Sequence, residues 1–286
     1  VRFLVLGASG MAGHTIALYL KERGHEVTGF ARRDLPFLDS QITGDARDEA
    51  LLRISLGNGA FDVVVNCIGV LNSFADADLE GAEYLNGKLP HVLASICESL
   101  PTRVFHMSTD CVFAGNTGPY TESSVPDGES VYDRTKAAGE LNDAKNLTFR
   151  NSIVGPDINP RGIGLLNWFM AQEGPVGGYT RAMWTGLTTL ELAKAMECAA
   201  NENVSGLVNM VPEGNISKHN LLCLFNEHLR GGGVRIDENP SLALDKTLVR
   251  TNFDCSFRAA PYDRQVAEMA TWIRARKELY PHYTLG

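Results

Sequence analysis

The chain opens on Arg2-Phe3-Leu4-Val5-Leu6, an apolar run of strand length, and passes directly into Gly7-Ala8-Ser9-Gly10-Met11-Ala12-Gly13. An amphipathic stretch from His14 to Arg23 follows. A strand that turns into a helix within seven residues needs glycine where φ is positive and where another backbone or a ligand must come close. The spacing Gly-x-x-Gly-x-x-Gly also aims free backbone N–H groups and the positive end of the helix dipole at one point. That suits a pyrophosphate. Gly7, Ser9, Gly10, Met11 and Gly13 are therefore candidate contacts for a dinucleotide.

The next elements extend this start into an α/β alternation. His25 to Ala31 is a second strand and completes a βαβ unit. A site preferring NAD places an acidic residue at that strand end, to bond the adenosine ribose. Arg32-Arg33 stands there instead, and two guanidiniums suit a 2′-phosphate. NADPH is the expected cofactor, with NADH possible because Asp34 follows. Gln41 to Asp45 reads as a third strand, with Asp45 a candidate adenine contact. Phe61 to Cys67 is a buried strand. Asn66, Cys67, Ile68 and Gly69 then fall where parallel strands end and cofactors lie. Asp78 to Ser99 reads as one long helix carrying Asn86, either as a buried brace or as a surface residue. The alternation predicts a doubly wound parallel sheet of the Rossmann type over residues 1–150. Residues 151–286 form a smaller mixed lobe for substrate, partly interleaved with the first. In this lobe Pro156 to Gly164 is a loop, and Leu165 to Gln172 a short helix with Trp168. Gly174 to Gly178 is a flexible link, and Tyr262 to Glu278 a last helix. Trp168 and Trp184 are candidates for stacking on a sugar or base, or for the core. Arg161, Arg181 and Lys218 are candidates for a diphosphate, or for a solvated surface.

Ser108 to Lys136 carries the chemistry. The apolar strand Arg103 to Met107 delivers Ser108-Thr109-Asp110-Cys111. Past a Gly/Pro-bearing loop, Ser130-x-x-Asp133 is a capping-box start for a helix from Tyr132 to Ala144. Tyr132 and Lys136, four apart, share one face of that helix. An ammonium beside a phenol favours phenolate, so Lys136 is expected to lower the Tyr132 pKa and make it a proton donor near neutrality. A hydroxyl from Ser108 or Thr109 would hold a carbonyl oxygen in front of it.

Bulk properties narrow the partners. The 286 residues carry a formal net charge of −8, with a pI near 5.4, which argues against nucleic acid or an anionic membrane surface as partner. Six scattered cysteines show no metal-ligand spacing, and no apolar run is long enough for a membrane span. A cytoplasmic protein without a structural metal, a possible homodimer, is expected.

Taken in order, these segments resemble the extended short-chain dehydrogenase/reductases, and within them the dTDP-4-dehydrorhamnose reductase group. That group carries S-T-D-Y-V-F-D-G, P-Y-x-E and V-Y-G-x-S/T-K-x-x-G-E. Here the counterparts are Ser108 to Gly115, Pro119-Tyr120-Thr121-Glu122 and Val131 to Glu140. The resemblance covers about the first half of the chain. It implies reduction of a 4-keto-6-deoxy sugar on a nucleotide carrier for surface polysaccharide synthesis. By position, Thr109 would bind the substrate carbonyl and Tyr132 would protonate its oxygen. Lys136 would bind the nicotinamide ribose and depress the Tyr132 pKa. Ser108, Asp110 and Cys111 would contact the sugar. Two departures stand out: the group's tyrosine is Cys111, and the glycine after the catalytic tyrosine is Asp133. Two other readings on the same resemblance are an epimerase or dehydratase, and a non-catalytic NADP-binding regulatory subunit. Cys111, where dehydratases have Glu, disfavours the dehydratase. Intact Thr109, Tyr132 and Lys136 disfavour the regulatory subunit.

Overall fold

The computed structural model describes residues 1–286 apart from Ser73. Strands β1 (Arg2–Leu6), β2 (Glu26–Ala31), β3 (Ser40–Thr43), β4 (Val63–Asn66), β5 (Arg103–Met107) and β6 (Leu147–Arg150) build the first half of the chain. With Gly206–Asn209 they form one seven-stranded sheet, with β1 between β2 and β4. Every neighbouring pair in it is parallel. Parallel strands covered on both faces must be apolar throughout, and Phe3 to Leu6 and Val63 to Val65 are buried accordingly. The order 3-2-1-4-5-6 is that of a doubly wound dinucleotide fold, whose crevice opens where the order reverses, between β1 and β4.

The second half contributes to the same core. Gly206–Asn209 lies beside β6. Helix α1 (Met11–Glu22) packs Ile16, Ala17 and Leu20 in one cluster with Leu192, Ala193 and Met196 of the helix Thr189–Asn201. A smaller sheet sets Val176–Trp184 between Ile216–Ser217 and Ile236–Asp245.

Four sequence expectations change. The helix expected over Asp78 to Ser99 is interrupted, with π geometry over Glu83–Lys88 before α-helix resumes at Leu89–Cys97. Pro90 has no N–H to offer the carbonyl of Asn86, four residues earlier, so the turn widens there. Gly139 fits against that freed carbonyl, where a Cβ would overlap the oxygen. The helix expected to reach Ala144 runs only over Val131–Ala138, with Gly139 as its C-cap. Gly174 to Gly178 is not a free link: a strand starts at Val176, and at Gly178 a Cβ would lie 2.8 Å from the Cα of His219. The last helix ends at Arg274. Among the described residues, no helix is long and apolar enough to cross a membrane.

Candidate active site

A cavity of about 540 Å³ opens at the C-terminal ends of β1, β4, β5 and β6. It is lined by Gly10 and Met11 from the first turn, Cys67, Ile68 and Gly69 after β4, and Ser108, Thr109 and Cys111 after β5. Tyr132 and Lys136 complete that side. Of the other predicted residues, Gly7, Gly13, Asn66 and Asp110 lie outside this lining, and Asn66 and Asp110 are buried. A larger depression of about 630 Å³, bordered by Leu248, Phe253 and Arg258, takes in Pro119 of the sequence motif but none of the candidate catalytic or binding residues.

The glycine turn has the tight backbone expected of it. Gly7 has φ +74°, and its carbonyl accepts from the Gly10 N–H at 2.9 Å. A Cβ on Gly13 would overlap the Gly7 carbonyl, so the helix seats on the turn only with glycine there. Gly10 is the N-cap of α1, without a side-chain hydrogen bond to the helix and without an acidic residue in its first turn. Backbone N–H groups of a helix start are thus left to whatever enters the cavity.

Around Tyr132 the polar groups are braced by elements from across the fold. Ser130 and Asp133 form the expected capping box. Asn86, on the widened helix turn, is fully buried. It accepts from Val70 N–H at 2.8 Å and donates to Val70 O at 2.9 Å and Thr135 Oγ1 at 3.1 Å. It therefore ties the loop after β4 to the Tyr132 helix. Thr109 Oγ1 accepts from Cys111 N–H at 3.1 Å and donates to Asp110 Oδ1 at 3.1 Å. Tyr132 is buried against Ala75 and Ala82, with Cys111 alongside.

Several assignments need correction. Asp110 does not face the cavity: its carboxylate accepts from Thr109 and, at 2.8 Å, from Ser152 Oγ, so it orients the threonine instead of meeting a ligand. Burial, the larger effect, raises its pKa, while those two hydroxyls lower it. Ser108 lines the cavity and donates its hydroxyl to Glu140 Oε1 at 2.6 Å, shorter than the 3.1 Å bond from Thr109 to Asp110. Trp184, 6% exposed, belongs to the hydrophobic core beside Tyr262. Trp168 is 42% exposed and does not border the cavity. Ser9, Arg32, Arg33 and Asp45 also lie outside the lining. Arg33 nevertheless reaches back toward the glycine turn, with Nη2 3.5 Å from Ser9 O.

The electrostatics of the Tyr132–Lys136 pair differ most from expectation. Burial pushes the phenol pKa up, with the neighbouring Cys111 adding to the rise and the Thr109 hydroxyl opposing it. Burial also lowers the Lys136 pKa to about 8, opposed by Glu140 and Cys67. Its Nζ donates to Met107 O at 2.5 Å.

Sequence reasoning missed one wall of the cavity. Asn151, Ser152 and Ile153 follow the end of β6, and Asp157 to Gly164 form the loop beyond; Arg161, weighed for a diphosphate, is part of that wall. The rule that ligands lie past parallel strand ends would have flagged Asn151 and Ser152. Sequence spacing also gave no sign that Cys198, Glu202 and Cys255 gather with ligand atoms within 4.8 Å of one another. The Glu202 carboxylate there already accepts from Ser256 N–H at 2.8 Å, from the Ser256 hydroxyl, and from Cys198 Sγ at 3.3 Å, so the group reads as a brace for the adjoining turn.

A doubly wound parallel sheet, a glycine turn at its switch point and a buried Tyr-x-x-x-Lys helix define the extended short-chain dehydrogenase/reductase class. Residues 1–153 match the family described as RmlD substrate binding domain, and the chain belongs to that family. A probable low-salt glycan biosynthesis reductase, Agl14, of Haloferax volcanii is 32% identical over 273 residues, covering 88% of each chain. A dTDP-4-keto-6-deoxy-D-glucose reductase of Streptomyces niveus is 33% identical over 141 residues, 49% of this chain and 46% of that one. The chain thus spans about half the length of that relative. The fold matches a dTDP-4-dehydrorhamnose reductase from Bacillus anthracis, solved in complex with NADP, at TM-score 0.80 and 14% identity over 95% of this chain and 99% of that one.

Proposed function

We propose that the protein reduces a 4-keto-6-deoxy sugar carried on a nucleotide, with NADPH as the electron donor. The observation that carries this reading is that Thr109 and Tyr132 line the same cavity as the uncapped start of α1. Bound NADPH would supply a hydride to the carbonyl carbon. Thr109 would hold the carbonyl oxygen by turning its hydroxyl from Asp110, which keeps the Ser152 hydroxyl as a donor, while the Cys111 N–H holds the threonine oxygen in place. Tyr132, whose raised pKa keeps it protonated at neutral pH, would then give that oxygen its proton. Gly10 and Met11 would meet the cofactor pyrophosphate, and Arg33 the 2′-phosphate. Cys67, Ile68 and Gly69 would flank the nicotinamide half, and Lys136 its ribose. Cys111 would contact the sugar.

In this reading residues 1–150 bind the dinucleotide and residues 151–286 supply the substrate lobe, Arg161 meeting the substrate diphosphate. The names of the reductase relatives support the substrate class, and synthesis of surface polysaccharide precursors in the cytoplasm is the matching role.

The test is NADPH oxidation with dTDP-linked 4-keto-6-deoxy sugars, wild type against Tyr132→Phe. Turnover in wild type and a loss of about 100-fold or more in the variant are expected. No NADPH consumption with any such substrate overturns the reductase reading, and product isomerised without net oxidation would mark an epimerase. Equal turnover in Tyr132→Phe removes the proton-donor role alone.

A further inference from the structure

His106 lies one residue before the carbonyl that holds Lys136, in the middle of the sheet, and is fully buried. Asn66 and His106 are register partners on β4 and β5, so their side chains leave the sheet on the same face. Asn66 Oδ1 accepts from the backbone N–H of Ile68 at 3.2 Å. Flipping the carboxamide would set its NH₂ against that N–H, donor against donor, so the oxygen is fixed. Asn66 Nδ2 therefore faces His106, 3.3 Å from Nδ1. An amide NH₂ only donates, which leaves Nδ1 with its lone pair and puts the ring proton on Nε2. Nε2 in turn lies 3.5 Å from Lys136 Nζ. An Nε2–H facing an ammonium opposes donor to donor, whereas facing a free amine it meets a lone pair.

We propose that His106 is a positioning residue which, locked in the Nε2–H tautomer by Asn66, adds to burial in favouring the uncharged amine of Lys136. Burial drives the His106 pKa well below the ordinary imidazole value, with Lys136 and His91 acting the same way, so the ring stays neutral. The groups acting on Lys136 from the surrounding elements are Glu140, which favours the ammonium, and Cys67. Glu140 is already bound to Arg150 and Ser108, and burial pushes the Cys67 thiol up to about 12. Among the described residues, His106 is the neighbour whose hydrogen-bond direction selects the amine.

The inference rests on the proposed site for its meaning but not for its test. In ¹⁵N-labelled protein without substrate, long-range ¹H–¹⁵N spectra read the tautomer, with the His106 signals assigned by their loss in His106→Gln. Protonated Nε2 and lone-pair Nδ1, unchanged from pH 5 to 9, are expected. A protonated Nδ1, or a ring that titrates in that range, overturns the proposal. ¹³Cε-lysine spectra then follow Lys136. In His106→Gln the carboxamide oxygen can accept from the ammonium, so the midpoint should rise by about one pH unit or more. In Asn66→Asp the ring proton moves to Nδ1, freeing the Nε2 lone pair to accept from the ammonium, and the midpoint should rise again. A midpoint unmoved in His106→Gln overturns the proposal. With a keto-sugar nucleotide that turns over, the pH limb of kcat assigned to Lys136 should move with the NMR midpoint. Absence of turnover with every such substrate would instead count against the reductase reading and leave the tautomer result standing.

Discussion

Lys136 and the end of β5 are joined by a 2.5 Å hydrogen bond from Nζ to the carbonyl oxygen of Met107. The amine is thereby held inside the protein, where burial lowers its pKa from 10.5 to about 8. The consequence for stability has a definite sign. Between those two values the unfolded chain binds a proton that the folded one has released. Stability therefore falls as pH drops from about 10.5 to about 8, and the full cost persists below that. Lys136→Met should lose turnover yet be more stable than wild type at pH 7, by about 1–2 kcal/mol once the lost hydrogen bond is counted. The gain should vanish near pH 10.5. Urea unfolding at pH 7 and at pH 10 measures both.

Gly13→Ala places a methyl group on the Gly7 carbonyl, which is backbone and cannot swing aside. The turn must open or the helix must shift. We expect about 1–3 kcal/mol of lost stability, in the range of overpacked cores. Weaker NADPH binding, followed by nucleotide fluorescence, should accompany it.

Glu140 and Arg150 form a buried ion pair, with Nε–Oε1 at 2.7 Å and Nη2–Oε2 at 2.5 Å, and the same carboxylate anchors Ser108. Arg150→Met leaves a buried carboxylate without its partner and should cost about 3–5 kcal/mol. Adding Glu140→Gln to that variant should recover part of the loss in thermal unfolding. Full additivity of the two changes would mean that the pair is not coupled.

Arg33 has Nη2 3.5 Å from Ser9 O, beside the turn that would hold the cofactor. Arg33→Ser should lower the NADPH-over-NADH preference by about 10-fold, the scale of one charge-assisted hydrogen bond, and leave the NADH affinity near wild type. Titration with both dinucleotides decides it. An unchanged preference would transfer the role to Arg32 or to neither arginine.

The local code of this chain was legible because its signals are short-range. An apolar strand, a glycine turn and an amphipathic helix set β1, Gly7 and α1 within a few residues of one another, and Ser130 with Asp133 set the start of the Tyr132 helix. Strand-end position alone placed Cys67, Ile68, Gly69, Ser108, Thr109 and Cys111 at one cavity. Breaks within helices were less legible. The widened turn at Asn86 follows from a proline four residues later, but its cause is complete only when Gly139 from another segment docks on the freed carbonyl.

The sequence by itself determined the doubly wound fold, the glycine turn and the pairing of Tyr132 with Lys136 on one helical face, because each follows from spacing along a single element. Tertiary structure decided what those groups are electrically. It buried the phenol so that its pKa rises instead of falling, turned Asp110 away from the cavity toward Ser152, sank Trp184 in the core, and set His106 and Met107 against the lysine. A pKa and a hydrogen-bond direction depend on which distant segments exclude water and offer partners, and that is fixed only when β4, β5, β6 and the Tyr132 helix meet.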